Sequence, residues 1–138
     1  MNLWIAASNG KVNGRLEYYC NADDLTDLGS KLLGYLGNQD EKIVYELGSE
    51  NPDDRVAFFL SLKVSPLDRA GHSVVRLRMN NNRPPPETEA SEFCIPVDVA
   101  DVNRLGRLLV TFGKLEHRVL DWSVKDGKLL EDVEEPVG

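Results

Sequence analysis

Nucleophilic catalysis needs a serine or cysteine within reach of a base, and this 138-residue chain has only two histidines, His72 and His117, to serve as an ordinary base. His72 lies in Gly71-His72-Ser73, in a turn between two strand-like runs. His117 lies in Glu116-His117-Arg118, after a helical run. Neither stands in a catalytic motif, so both read as surface or turn histidines. Zinc needs three or four ligands at short spacing, and the chain has no Cys-x-x-Cys and no His-x-x-x-His. Asp68 with His72, and His117 with Asp121, have ligand-compatible spacing, but each is only a pair. Walker and Gly-x-Gly-x-x-Gly phosphate loops do not occur. The expectation is a protein that is not an enzyme and uses no metal or cofactor.

Carboxylates are the strongest polar signal. Asp23, Asp24 and Asp27 form one cluster, Glu50, Asp53 and Asp54 a second, and the acids of residues 131–138 a third. None has the alternating oxygen ligands and central glycine of an EF-hand loop. The first cluster reads as helix capping and solvation, or as an anionic surface that docks a basic protein. One group runs the other way. Arg76 and Arg78 share a strand face, Lys63 belongs to the neighbouring strand, and Arg69 and Arg83 lie close in sequence. They read as a charged solvent face of an antiparallel sheet, or as a basic patch for an acidic group. The candidate partner-binding residues are therefore Asp23, Asp24, Asp27, Asp53, Asp54, Arg76 and Arg78.

Composition bounds these options. The chain is 41% hydrophobic and 28% charged, as expected for one folded α+β domain over residues 1–138, with 131–138 as an acidic flexible tail. A net charge of −7 opposes general affinity for nucleic acid, which requires an excess of Lys and Arg. The apolar run Leu3-Trp4-Ile5-Ala6-Ala7 is too short for a signal-peptide core, and no run approaches the ~20 residues of a spanning helix. A cytoplasmic protein without membrane association is expected. Cys20 and Cys94 then read as buried free thiols, with a disulfide left open.

The elements that position these residues follow from periodicity. Residues 3–7 and 15–20 read as strands, with turn signals at Asn9-Gly10 and Asn13-Gly14. Residues 24–33 and 101–110 share a pattern: an opening acid, apolar residues at helical spacing, and a mid-helix glycine, Gly29 or Gly106. Asn21 and Asp98 are the predicted N-caps, and Asp101 has the capping-box position. Leu25, Leu28, Leu32 and Leu36 form the first apolar face, which Gly37-Asn38 should end. Val102, Leu105, Leu109 and Phe112 form the second, ended by Gly113. A mid-helix glycine costs ~1 kcal/mol against alanine, so both glycines are predicted to mark close packing against the sheet or the partner helix. Strands are expected at 43–47, 56–64, 73–80, 93–97 and 118–124, with 128–130 pairing back after Asp126-Gly127. The run 80–86, Asn-rich then Pro-rich, cannot be regular structure. The order β-β-α-β-β-β-β-α-β predicts a mainly antiparallel sheet of about six strands with two amphipathic helices on one face, a two-layer sandwich.

Three stretches carry a resemblance: Leu28-Gly29-Ser30-Lys31-Leu32, Asp68-Arg69-Ala70-Gly71-His72 before an arginine-bearing strand, and Leu105-Gly106-Arg107-Leu108-Leu109. Over residues 16–122 in outline, the chain resembles small bacterial proteins of unknown function, some of which are similar to immunity proteins of polymorphic toxin and contact-dependent inhibition systems. The resemblance implies a cytosolic α+β binding protein that blocks a toxin. It transfers no site residue, because these families share no fixed site, and the loop at 80–86 departs from them. Two function classes follow. One is a non-catalytic protein-binding module that covers a basic partner with an acidic surface. The other is a small-ligand binder or unfamiliar enzyme, with a site near Arg76 and Arg78 or between helices and sheet. A homo-oligomer is compatible with either.

Overall fold

Alternation of apolar and polar residues governs most of the strands, and nearly all of them pair with their neighbour in sequence. The computed structural model describes residues 1–116, 119–124 and 126–130. It is α+β, in the order β1 (Asn2–Ser8), β2 (Asn13–Tyr19), α1 (Ala22–Leu33), β3 (Ile43–Gly48), a 3-10 turn (Pro52–Asp54), β4 (Phe59–Pro66), β5 (His72–Asn80), β6 (Ala90–Asp98), α2 (Val99–Phe112), β7 (Val119–Ser123) and β8 (Asp126–Leu130). The described strands form a four-stranded sheet, β3-β4-β5-β6, and two hairpins, β1-β2 and β7-β8. The expected single sheet of about six strands is thus divided. A helix follows β2 and another precedes β7, and the short turns within each hairpin close it on itself. The chain clusters into two compact units: Met1–Cys20 with Gly37–Pro96, and Asn21–Leu36 with the residues from Val97 onward.

The first unit holds the four-stranded sheet and the β1-β2 hairpin. Val75, Leu77 and Met79 of β5 are buried as their alternation predicts, as are Leu60, Leu62 and Val64 of β4 and Phe93 and Ile95 of β6. The turn of the first hairpin lies at residues 9–12, where Gly10 takes φ +91°. Asn13-Gly14 is therefore not a turn but the start of β2. Its glycine serves close approach: a Cβ there would lie 2.5 Å from Met79 Cε and 2.7 Å from Ser91 Oγ. Strand β4 starts at Phe59 instead of residue 56, because the 3-10 turn and the left-handed Arg55 (φ +51°) occupy the preceding residues.

The second unit holds the two helices and the β7-β8 hairpin. Each helix opens as predicted: Asp24 accepts the Asn21 N–H at 3.0 Å, and Asp101 accepts the Asp98 N–H at 2.9 Å. Helix α1 ends at Leu33 with Gly34 as its cap, one turn before Gly37, so Leu36 leaves the apolar face and is 70% exposed. The reason lies on α2. Asn103 Nδ2 stands 3.0, 3.1 and 2.9 Å from the carbonyls of Leu32, Leu33 and Tyr35, and so engages the C-terminal acceptors that a longer helix would have used internally. Gly29 and Gly106 face each other across the helix crossing. A Cβ on Gly29 would lie 2.8 Å from Gly106 O, and one on Gly106 would lie 2.6 Å from Gly29 O. Strands β7 and β8 pair from Ser123↔Asp126 to Val119↔Leu130, so Asp126-Gly127 lies within β8 and is not the turn. Trp122 Nε1 donates to Asp101 O at 3.0 Å. Arg104 Nη2 donates to Ser123 O at 2.7 Å, and also pairs with Asp101 Oδ1 at 3.1 Å. The expected tail, 131–138, lies outside the described residues.

Candidate functional site

Strand register assembles the charged face of the first unit. The pairing of β4 with β5 sets Lys63 opposite Arg76 and Ser61 opposite Arg78, so the two arginines and the lysine meet on one face as the alternation predicts. Their surroundings differ sharply. Arg78 is engaged by carboxylates: Nε and Nη2 each stand 2.7 Å from an oxygen of Glu50, and Nη1 stands 3.2 Å from Glu92 Oε2. Asn80 Nδ2 adds a bond to Glu50 Oε2 at 2.8 Å. Hydrogen bonding to the Arg78 guanidinium, helped by Asn80, holds the Glu50 carboxyl below the usual range. The same bond raises Arg78 above the ordinary guanidinium value. A planar fork of this kind satisfies both ions. Arg83 pairs with Glu87 at 2.9 Å, and Arg69 donates to Gln39 at 3.4 Å. Lys63 and Arg76 have no ion-pair partner among the described residues, and Arg76 is exposed. The five-residue basic patch considered from sequence is thus reduced to one like-charged cross-strand pair.

The asparagine run 80–82 is the framework of this face. Asn82, in the left-handed region at φ +54°, donates from Nδ2 to Ser49 O at 2.7 Å and Val56 O at 2.9 Å, pinning both ends of the loop that carries Glu50. Asn80 Oδ1 accepts the Asn82 N–H at 2.8 Å, and Asn81 Oδ1 accepts the N–H groups of Arg83 and Glu89. Asparagine suits these places because its short amide substitutes for a backbone partner and tolerates αL. Glu50, Asn80 and Asn82 were not among the site residues predicted from sequence. The Asn-Asn-Asn run was the available signal, and it marked a buttress.

The predicted acids divide between the units. Asp53 and Asp54 lie in the 3-10 turn of the Glu50 loop, both exposed. Asp54 accepts the Ser49 hydroxyl, while Asp53 has no ion-pair partner among the described residues. Asp23, Asp24 and Asp27 lie at the start of α1 in the second unit. Asp24 is occupied by the cap, whereas Asp23 and Asp27 are exposed and have no ion-pair partner among the described residues.

The other candidates resolve into local structure. Asp68 Oδ2 stands 2.6 Å from His72 Nδ1, and Asp68 Oδ1 accepts the N–H groups of Ala70 and His72, which closes the β4-β5 turn. The His72 contact lowers the Asp68 carboxyl below its ordinary value. His117 lies outside the described residues. Cys20 is buried and Cys94 exposed, and no disulfide joins them, so the expectation of two buried thiols holds only for Cys20. Among the described residues no group of three or more His, Cys, Asp or Glu is placed to hold a metal ion. No described helix is long and apolar enough to cross a membrane. The first unit also has an open cavity of about 680 Å³ bordered by Ala6, Ser8, Gly14, Arg15, Glu89 and Ser91.

No family model, curated protein or solved structure matches this chain. The functional reading therefore rests on the residues themselves.

Proposed function

We propose that the protein is a non-catalytic, cytoplasmic binding module that covers a basic protein partner with carboxylates, in the manner of an immunity-type inhibitor of a bacterial toxin. The observation that carries this reading is the difference in how the charges are used. Of the two sheet arginines, Arg78 is already held by Glu50 and Glu92, which leaves the Lys63–Arg76 pair as the cations of that face without an ion pair among the described residues. Asp23, Asp27 and Asp53 stand exposed without ion pairs among the described residues, in a chain of net charge −7. Unpaired carboxylates on a negative protein steer a cationic partner and speed its encounter more than they tighten the complex.

Affinity isolation from the native cell, followed by kinetics with the recovered protein, tests the proposal. A stoichiometric basic partner is expected, with an association rate that falls as salt rises. Asp23→Asn with Asp27→Asn, or Asp53→Asn with Asp54→Asn, should slow association severalfold and leave dissociation nearly unchanged. Repeated isolation without a stoichiometric protein, or a partner whose association ignores both salt and these substitutions, rejects it. The open cavity favours a second reading, a small-ligand binder. A metabolite that raises the melting temperature by several degrees in a thermal-shift screen, with no protein partner recovered, would select that reading.

A further inference from the structure

Period-two alternation gives the β1-β2 hairpin one face toward the core and one toward water. Leu16 and Tyr18 are buried on one side, so Asn2, Trp4, Arg15, Glu17 and Tyr19 stand exposed on the other. Trp4 is 65% exposed and Tyr19 63%, and neither ring contacts another aromatic ring among the described residues. A single exposed apolar side chain is ordinary, whereas two large rings gathered on one short face mark a contact surface.

The register gathers four of these side chains into a square. Asn2 is opposite Tyr19 and Trp4 is opposite Glu17, so the two rings occupy one diagonal, and Asn2 and Glu17 the other. Asn2 Nδ2 donates to Glu17 Oε1 along that second diagonal, which fixes the carboxylate beside both rings. Glu17 has no ion-pair partner among the described residues. Arg15, the one cationic side chain of the two strands, pairs instead with Glu89 at 3.5 Å. Diagonal neighbours on an antiparallel pair stand about 7–8 Å apart. Flat groups in contact stand about 3.5–4 Å apart, so one planar group fits between the rings.

We propose that this cluster anchors a basic protein partner by one arginine side chain, its guanidinium stacked on Trp4 and Tyr19 and paired with Glu17. The inference rests on the protein-binding reading above, and it names the contact that holds the partner once the free aspartates have steered it in. Charge selects the occupant. A ring face and a carboxylate both favour a cation, and the net charge of −7 draws one toward the protein. The same groups repel phosphates and carboxylates. Arginine suits the place better than lysine, because its planar guanidinium stacks on a ring while its N–H edge meets a carboxylate. Trp, Tyr and Arg are also the side chains that dominate binding energy at protein interfaces.

Two measurements test it. The full chain has two indoles, Trp4 and Trp122, so its N–H NMR spectrum reports on the cluster with an internal reference. A capped arginine peptide at millimolar concentration should shift the Trp4 indole and the Asn2 side-chain amide and leave the Trp122 indole in place. Its neutral citrulline counterpart should bind at least about fivefold more weakly, as should the arginine peptide with Glu17→Gln or Trp4→Leu protein. Against the isolated basic partner, the same two substitutions should raise the dissociation rate severalfold and leave association nearly unchanged, the reverse of the aspartate variants. Circular dichroism checks folding; if Trp4→Leu does not fold, Glu17→Gln and the citrulline comparison decide. A silent Trp4 indole, or equal binding of the citrulline peptide, overturns the proposal. Tetramethylammonium bound at the cluster more tightly than the arginine peptide assigns it to a small quaternary amine and also overturns it. A basic partner that ignores Glu17→Gln and Trp4→Leu, yet associates more slowly with the aspartate variants, overturns this inference alone. The absence of any stoichiometric basic partner overturns it together with the protein-binding reading.

Discussion

The helix crossing in the second unit supports a prediction in which the usual sign of a substitution reverses. Replacing a mid-helix glycine by alanine ordinarily stabilises a helix by ~1 kcal/mol. At Gly106 the added Cβ would meet Gly29 O at 2.6 Å and Leu32 C at 2.8 Å, with Leu33 N closer still. At Gly29 it would meet Gly106 O and Val110 N, both at 2.8 Å. Ordinary contact starts at 3.4 Å, and these neighbours are backbone atoms that cannot rotate away. The helices must separate, by more than half an ångström, and the buried side chains on both, Leu28, Leu32, Val102 and Leu105 among them, lose contact as they do. Overpacking of this kind costs ~1–3 kcal/mol, and a backbone clash belongs at the upper end. After the propensity gain, Gly106→Ala and Gly29→Ala should each destabilise by about 1–2 kcal/mol. Gly34→Ala is the internal control. Its Cβ would meet Ser30 O at 3.6 Å, and its φ of −85° suits alanine, so it should be neutral or slightly stabilising. Urea titration followed by tryptophan fluorescence in a Trp4→Phe background reads this unit through Trp122, whose indole is bonded to Asp101. The double variant should cost less than the sum of the singles, because helices already separated by one methyl make room for the other. A Gly106→Ala protein as stable as the parent, with native ellipticity, would refute the close crossing.

Two further outcomes are expected. Asn103→Ala removes the side-chain amide that the carbonyls of Leu32, Leu33 and Tyr35 share, and should cost ~1–3 kcal/mol; native-state hydrogen exchange should show faster opening at the end of α1, and unchanged exchange at the Gly34 N–H would contradict the assignment. Glu50→Gln should flatten the acid side of the stability profile: because Arg78 lowers the folded-state carboxyl, Glu50 contributes stability above its unfolded value of 4.5, lost as pH falls through the lower folded value. The pair is about one-third exposed, so the difference at neutral pH should be about 1 kcal/mol or less, read as a urea midpoint at pH 7 and pH 3; parallel profiles for parent and variant would count against the fork.

What the sequence made legible depended on the range of the interaction. The N-caps Asn21 and Asp98, the capping-box place of Asp101, the inner face of β5 and the shared face of Arg76 and Arg78 follow from spacing over a few residues, and the structure has each of them. The Gly29–Gly106 contact was visible as a repeated local anomaly, a glycine where alanine would be cheaper. The end of α1 was misplaced because Asn103, 70 residues beyond Leu33, supplies the donor that ends it. Gly14 was read as a turn because its dipeptide is a turn signal, whereas Met79 and Ser91, distant in sequence, are what require a glycine there. The candidate site failed in the same way at Arg78. Its face was predictable from alternation, but its partner Glu50 reaches it from a loop 28 residues earlier.

That loop bears on which charges remain for a partner. On the sheet face, forming a new ion pair with Arg78 would require displacing a bidentate carboxylate, so an approaching anion gains only the difference between two similar pairs. Lys63 and Arg76 present the opposite case. Like charges directly opposite on neighbouring strands are mutually unfavourable, and an added carboxylate between them would relieve that repulsion. A small acidic ligand of the first unit would thus gain most from Arg76, and Arg76→Gln should abolish its binding while Arg78→Gln acts only through the loop. A basic partner would be indifferent to both substitutions and sensitive to Asp23, Asp27 and Asp53. Measured side by side, these two sets of variants distinguish the protein-binding reading from the ligand-binding one at the level of individual charges.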